Sequence, residues 1–414
     1  MPQVIMSRAF MMVVVLLGLL LAQPQERAAQ LAVPDRQHAE ELARAGQTAE
    51  ALALFMRLVE INPSDIEARL WVARLDLRVG RVAEAESTFR AVLAEHPDDI
   101  DAGIGLGMTL TRKGAWADAL AVLQRVEAAA GNNADLFAAL ARAYRRGGDD
   151  ARALDYFRRA RALAPDDPDI ALGFEAVTRA YGHWIGLAGF SEWAAPGTSV
   201  TSGSIFGDLR VAPRLHLEAG VRTQHGPGYS DAIGGAGFMW RAARTTTLTV
   251  RAVGGSGNTA LASRDLSAGV IHYAGRLEAG GNVRQIAFND VDVLAISPIF
   301  AWDTDRWRLD CRYTYSRSSF HATDRVSDDH SVSLRETARL WRRASVQAAF
   351  AHGIESFEDL TADRIGLLGA RTIAGGMQFD VRSLTRITGT WQHQWRSNDT
   401  ETNRVTLSLV QYVP

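Results

Sequence analysis

The chain has 414 residues, 47% of them hydrophobic and 22% charged, with a formal net charge of −2 and a single cysteine, Cys311. Near-neutral charge excludes a strongly basic nucleic-acid binder judged on net charge, and one cysteine excludes an internal disulfide, a cysteine-based zinc site and an iron–sulfur cluster. At about 150 residues per folding unit the length predicts two or three units, and three stretches of different character follow one another.

Residues 1–29 read as a signal peptide with a short N-terminal segment. Arg8 supplies a positive start, Met11–Leu21 an apolar run, and Ala22 a small residue before a cut. The run is shorter than the roughly 20 apolar residues of a membrane-spanning helix, so export is favoured over a retained anchor.

Residues 30–180 carry a period of 34. Alanine recurs at Ala51, Ala85, Ala119 and Ala153, and glycine at Gly46, Gly80, Gly114 and Gly148. A large apolar residue follows each alanine by four, at Phe55, Phe89, Leu123 and Phe157, and Pro63, Pro97 and Pro165 close repeats, with Gly131 in the third place. Glycine permits the turn between helices, alanine allows close helix approach, and proline stops the second helix. This pattern resembles the tetratricopeptide repeat, in four copies plus a capping helix at 168–180, and implies a solenoid that binds a protein partner in its groove. The repeats are net acidic, which reads either as a groove for a basic partner or as a solvated outer face.

From about Tyr181 the period becomes two. In 306–317, Trp307, Leu309, Cys311, Tyr313 and Tyr315 share one face, and Arg308, Asp310, Arg312, Thr314 and Ser316 the other. The stretch 385–396 repeats the design. Fourteen candidate strands run from 184–194 to 402–413, and two folds fit them: a soluble sandwich with an apolar core, or a barrel with an apolar outside. Links after even strands are tight, whereas most links after odd strands are expected to be longer and polar. That asymmetry, the even strand number and the tryptophans near strand ends favour an outer-membrane β-barrel over residues 181–414.

The polar face would then point inward. Its arginines are Arg222, Arg251, Arg276, Arg284, Arg308, Arg312, Arg335, Arg339, Arg386 and Arg396, with Glu218, Glu278 and Asp310 as counter-charges. Two readings stand: a positive lumen that favours anionic solutes or polymers, or a space-filling network of arginine–carboxylate pairs. Cys311 falls on the apolar face. No histidine pair has metal-ligand spacing, and the glycine-rich pieces at 234–237 and 254–257 lack the Lys-Ser/Thr of a phosphate loop, so neither metal nor cofactor is expected.

With signal, repeats and barrel in place, the chain resembles the YaiO-family outer-membrane β-barrel proteins that carry N-terminal tetratricopeptide repeats. The residues that suggest it are Ser356-Phe357-Glu358, Ala362–Gly366, Gln394–Asp399 and Arg404–Val410, over roughly 181–414. Tyr412 precedes Val413-Pro414, so the usual terminal aromatic is displaced. The order of parts is also that of exopolysaccharide exporters, a similarity of architecture. The expectation is therefore an α plus β chain of two domains, a periplasmic helical solenoid and a transmembrane barrel, without enzymatic activity or cofactor. Its expected partners are outer-membrane lipid, a periplasmic protein in the repeat groove, and an anionic or polar polysaccharide, with no nucleic acid. The alternatives are a docking protein with a plugged barrel and an outer-membrane hydrolase.

Overall fold

A computed structural model describes residues 35–194, 198–243, 245–341, 343–353, 369–382, 384–397 and 399–414. The expected signal and the 356–366 resemblance residues lie outside them. Among the described residues are nine helices followed by fourteen strands, in two compact units, 1–170 and 171–414.

The helices are α1 (Arg36–Arg44), α2 (Thr48–Ile61), α3 (Ile66–Val79), α4 (Val82–Glu95), α5 (Ile100–Lys113), α6 (Trp116–Ala130), α7 (Ala134–Arg146), α8 (Asp150–Leu163) and α9 (Pro168–Tyr181). Each repeat is a helix pair. Gly46, Gly80, Gly114 and Gly148 sit between the two helices at φ of +81° to +89°, a region that a side chain opposes. Ala51, Ala85, Ala119 and Ala153 are wholly buried, as are Phe55, Phe89 and Leu123, with Phe157 almost so. Pro63, Pro97 and Pro165 come one residue after the helix-capping Asn62, His96 and Ala164.

The period also carries two columns of polar residues. Asp65, Asp99 and Asn133 each accept a backbone N–H from the third residue onward, and so N-cap α3, α5 and α7. Asp167 does the same for Ile170. Arg78 donates to the Ala43 carbonyl at 2.9 Å and Arg112 to the Leu77 carbonyl, so each arginine caps the C-terminal end of the preceding repeat's first helix.

The strands are β1 (His183–Ala194), β2 (Thr198–Ala212), β3 (Leu215–Gly226), β4 (Tyr229–Ala243), β5 (Thr246–Gly254), β6 (Arg264–Ala274), β7 (Leu277–Ala287), β8 (Val291–Asp303), β9 (Trp307–Phe320), β10 (Val326–Trp341), β11 (Ala344–Gly353), β12 (Ala370–Arg382), β13 (Thr385–Arg396) and β14 (Glu401–Val413). All neighbours pair antiparallel, and β1 closes on β14 in the register His183↔Val413 to Ala194↔Thr402. No edge strand remains. Gly182 carries the chain from α9 into β1 where a Cβ would stand 2.5 Å from both the Thr178 and Val413 carbonyl oxygens, so only glycine passes.

Alternation decides the two faces. Ile185, Ile205, Val221 and Leu407 point outward and are 53–62% exposed, while inward-facing Gln224, Thr314 and Ser318 are at most 2% exposed. An apolar outside around a polar inside rules out the soluble sandwich, whose apolar face must be a core. Trp240, Trp302 and Trp341 stand outward near one end of the barrel and Trp193 and Trp395 near the other, the positions of two interfacial girdles. Trp184 is the exception, paired with Asp208 and packed edge-on to Phe206 on the inward face. Among the described residues no helix is long and apolar enough to cross a membrane.

The loop asymmetry differs from expectation. Strands β2 and β4 begin earlier than their alternating cores predict, at Thr198 and Tyr229, so fewer residues than expected separate each from the strand before it; the link 288–290 is short, as its sequence implies. Length is carried by 255–263 and 321–325, and most of the third expected long link, 357–370, lies outside the described residues. At the other end each hairpin is tight, and β2, β4, β10 and β12 each contain a register shift just before the turn, where an extra residue sharpens the bend.

Candidate functional site

Fourteen strands leave a lumen too wide for wall side chains to fill, so its chemistry is set by the inward face. The arginines there meet carboxylates on nearby strands. Arg284 holds Asp265 through two bonds of 2.9 and 2.6 Å, and Arg308 holds Glu278 through two of 2.6 and 2.9 Å while its Nε reaches Asp310 at 2.9 Å. Arg251 donates to Glu218 at 2.9 Å, Arg339 to Asp303 at 3.0 Å and Arg386 to Asp380 at 3.1 Å. Arg222 donates to Ser202 and Gln224 and stacks toward Phe190. Arg396 stands 3.6 Å from Glu192. Arg276 lies in the turn before β7, on Asp305, and is not a lumen residue.

Most of these arginines therefore stand in charge-assisted pairs, which hold guanidinium groups rigidly against the wall. Arg312 and Arg335 face one another's strands beside Asp310, at the edge of a cavity of about 400 Å³ that Thr372, Gln392 and Arg404 also line. Hydroxyl, amide and guanidinium groups line this space among apolar side chains such as Ile299 and Phe350, and they supply donors and acceptors suited to a hydrated, hydroxyl-rich or anionic guest.

Three further groups escaped the sequence reading. Arg404 donates twice to Glu192, and both are less than a tenth exposed. The alternation of Thr402, Arg404, Thr406 and Ser408 against Val405, Leu407 and Leu409 would have found it. Arg210 packs over Tyr181 at 3.7 Å and donates to the Ala180 carbonyl, while Arg179 pairs with Asp380 at 2.7 Å, which fastens the end of α9 to the inner rim. Asp231 is 3% exposed and accepts the backbone N–H groups of Thr259, Ala260 and Leu261 at 2.6–3.0 Å. Asn258 and Ala260–Ala262 are buried, with Ala262 in a cluster with Ile286, Phe288, Val291 and Val293. The segment 258–262 is thus folded inward along β4, β7 and β8, and narrows the lumen.

Cys311 lies outward, opposite Phe300 and Leu334. Among the described residues no group of His, Cys, Asp and Glu is placed to hold a metal ion.

Residues 42–106 and 134–174 match family models of the tetratricopeptide repeat. Among solved structures the chain is similar to a thermophilic tetratricopeptide-repeat protein of Thermus thermophilus, with 27% identity, 35% of this chain and 80% of that chain covered, and a TM-score of 0.33. It is also similar to a bacterial polysaccharide outer membrane secretin, with 13% identity, 56% and 98% of the two chains covered, and a TM-score of 0.39. A loop-deletion mutant of OmpT, an outer membrane protein of Vibrio cholerae, gives 11% identity, 56% and 98% covered, and a TM-score of 0.36. No relative was found among curated proteins. By its repeats and its closed barrel, the chain is a two-domain protein: a helical tetratricopeptide array followed by a fourteen-strand antiparallel barrel with the exterior of an outer-membrane protein.

Proposed function

We propose that this protein is a non-enzymatic, YaiO-like outer-membrane component of surface-polysaccharide export. Its repeats lie in the periplasm and hold a protein partner, and its barrel conducts a polar or anionic polymer. One observation carries the reading: the inward face gathers the barrel's charged and hydrogen-bonding side chains, with Arg312, Arg335 and Arg404 around a cavity that Thr372 and Gln392 also line. A polar lumen inside an apolar exterior suits a hydrated guest crossing lipid. Short hairpins at the end where the chain enters the barrel support a periplasmic site for the repeats, since such barrels turn tightly on that side.

The inward segment 258–262 and the arginine–carboxylate pairs favour a second reading, a docking barrel plugged by its own chain. Planar-bilayer recordings on the folded full-length protein separate the two. A conduit gives discrete conductance steps with anion preference, and Arg312→Gln with Arg335→Gln moves the reversal potential toward zero selectivity. Absence of conductance establishes the plug, and conductance with unchanged selectivity removes the arginines from the mechanism.

A further inference from the structure

A second cavity lies in the lumen wall on β1–β5, about 280 Å³ in volume, and none of the pairs described above accounts for its shape. Its floor is glycine. Gly220, Gly235 and Gly237 face inward on adjacent strands, in the registers Gly220↔Gly235 and Glu218↔Gly237. A Cβ at Gly235 would stand 2.6 Å from the Ala252 carbonyl oxygen, and at Gly237 2.6 Å from that of Val250, so the strands approach too closely for any side chain there. The wall is consequently bare where a lumen-facing row would otherwise be.

Around this hollow stand two aromatic rings and three charges. Trp184 and Phe206 meet edge to face with ring centres 5.7 Å apart, and both are only half-buried inside a lumen whose other inward residues are mostly polar. Gly186 and Gly220 flank Phe206 in register, so its ring lies low across the wall. Glu218 and Arg251 reach across Gly237 to pair at 2.9 Å, yet the Arg251 side chain keeps 60% of its surface open to the lumen. Arg222 lines the same space.

An aromatic ring offers a face to the C–H side of a sugar ring. A carboxylate accepts from its hydroxyls, and a guanidinium fork matches a carboxylate on the sugar. With two guanidinium groups to one carboxylate, the balance selects an acidic sugar. The volume, at the low end of ligand pockets, suits a single ring. We propose that this recess is a binding station for one uronic-acid residue of a polysaccharide in the lumen. It rests on the reading of the barrel as a carbohydrate conduit, and it names the class of sugar.

The test is calorimetric titration of the full-length protein in micelles with hexagalacturonate and with maltohexaose. Heat-modifiable gel migration shows that each variant is folded. The wild-type protein is expected to bind the acidic hexamer at least tenfold more tightly than the neutral one. Arg251→Gln should weaken the acidic hexamer about tenfold and leave maltohexaose unchanged, whereas Phe206→Leu should weaken both. No acidic binding by the wild-type protein, or binding that neither variant alters, overturns the recess. Bilayer conductance measured in parallel keeps the two ideas apart: binding without conductance retains the station and rejects the conduit, and conductance without binding does the reverse.

Discussion

Replacing Asp231 by alanine should release the segment 258–262 from the lumen wall while leaving the barrel folded. The carboxylate accepts three consecutive backbone N–H groups, and those of Ala260 and Leu261 are buried. Each buried donor left without an acceptor costs about 1–3 kcal/mol, so two cost ~2–6 kcal/mol if the loop stays in place. Opening to water relieves most of that penalty, so the cost appears as a shift toward the open loop rather than as loss of the closed sheet. The apolar contacts of Ala262 with Ile286 and Val293 oppose release, which places the net change nearer ~3 kcal/mol, or about a hundredfold in the open population. The assay uses Leu261→Cys on a Cys311→Ser background, since Leu261 is 4% exposed and Cys311 is the chain's one thiol. A charged maleimide should label residue 261 slowly with Asp231 present and about a hundredfold faster with Asp231→Ala. Equal labelling rates in the two backgrounds would refute the idea that this carboxylate holds the segment down.

Cys311, outward between Leu309 and Tyr313, should react with N-ethylmaleimide in detergent but resist a charged methanethiosulfonate reagent in proteoliposomes; rapid reaction with the charged reagent would place it in the lumen. Phe89 is fully buried and lies against the Cα of Gly105 in the next repeat, so Phe89→Ala should cost about 3–5 kcal/mol. Thermal circular dichroism at the helical band should show the first transition lowered by roughly 10 °C, with the barrel transition unmoved. The Lys113 ammonium, with Arg90 beside it, holds the Glu86 carboxyl below its ordinary value of 4.5. That interaction stabilises the repeats above pH 4.5 and is lost as pH falls through the folded value, so their melting temperature should drop under acid. Lys113→Met should flatten that acid limb, and an unchanged limb would show that other carboxylates set it.

Much of the architecture was legible because both domains are periodic. Repetition every 34 residues names the turn glycines, the packed alanines and the bulky residues above them, since each repeat solves the same packing problem. The same period contains the capping aspartates and the stitching arginines at Arg78 and Arg112, which the eye passes over because charged residues on helices usually face water. In the strands, period two assigns each side chain to a face, which is why Arg308, Asp310 and Arg312 fall together on the lumen side. The lengths of the links were less legible, because strands such as β2 continue through Thr198–Val200, polar and small residues that read equally well as loop.

Sequence by itself thus determined the two domains, the number of strands and the polarity of each barrel face, because these depend on local spacing alone. Tertiary structure decided which charges meet. Arg251 finds Glu218 two strands away across Gly237, and Arg404 finds Glu192 across the seam that joins the ends of the barrel. It also decided the path of 258–262 and the glycine-floored recess beside Phe206. Those arrangements follow from strand register and barrel closure, which bring together residues as far apart in the chain as His183 and Val413. Alternation fixes a side chain's face but leaves open its neighbours on that face, and the chemistry of the lumen lies in those neighbours.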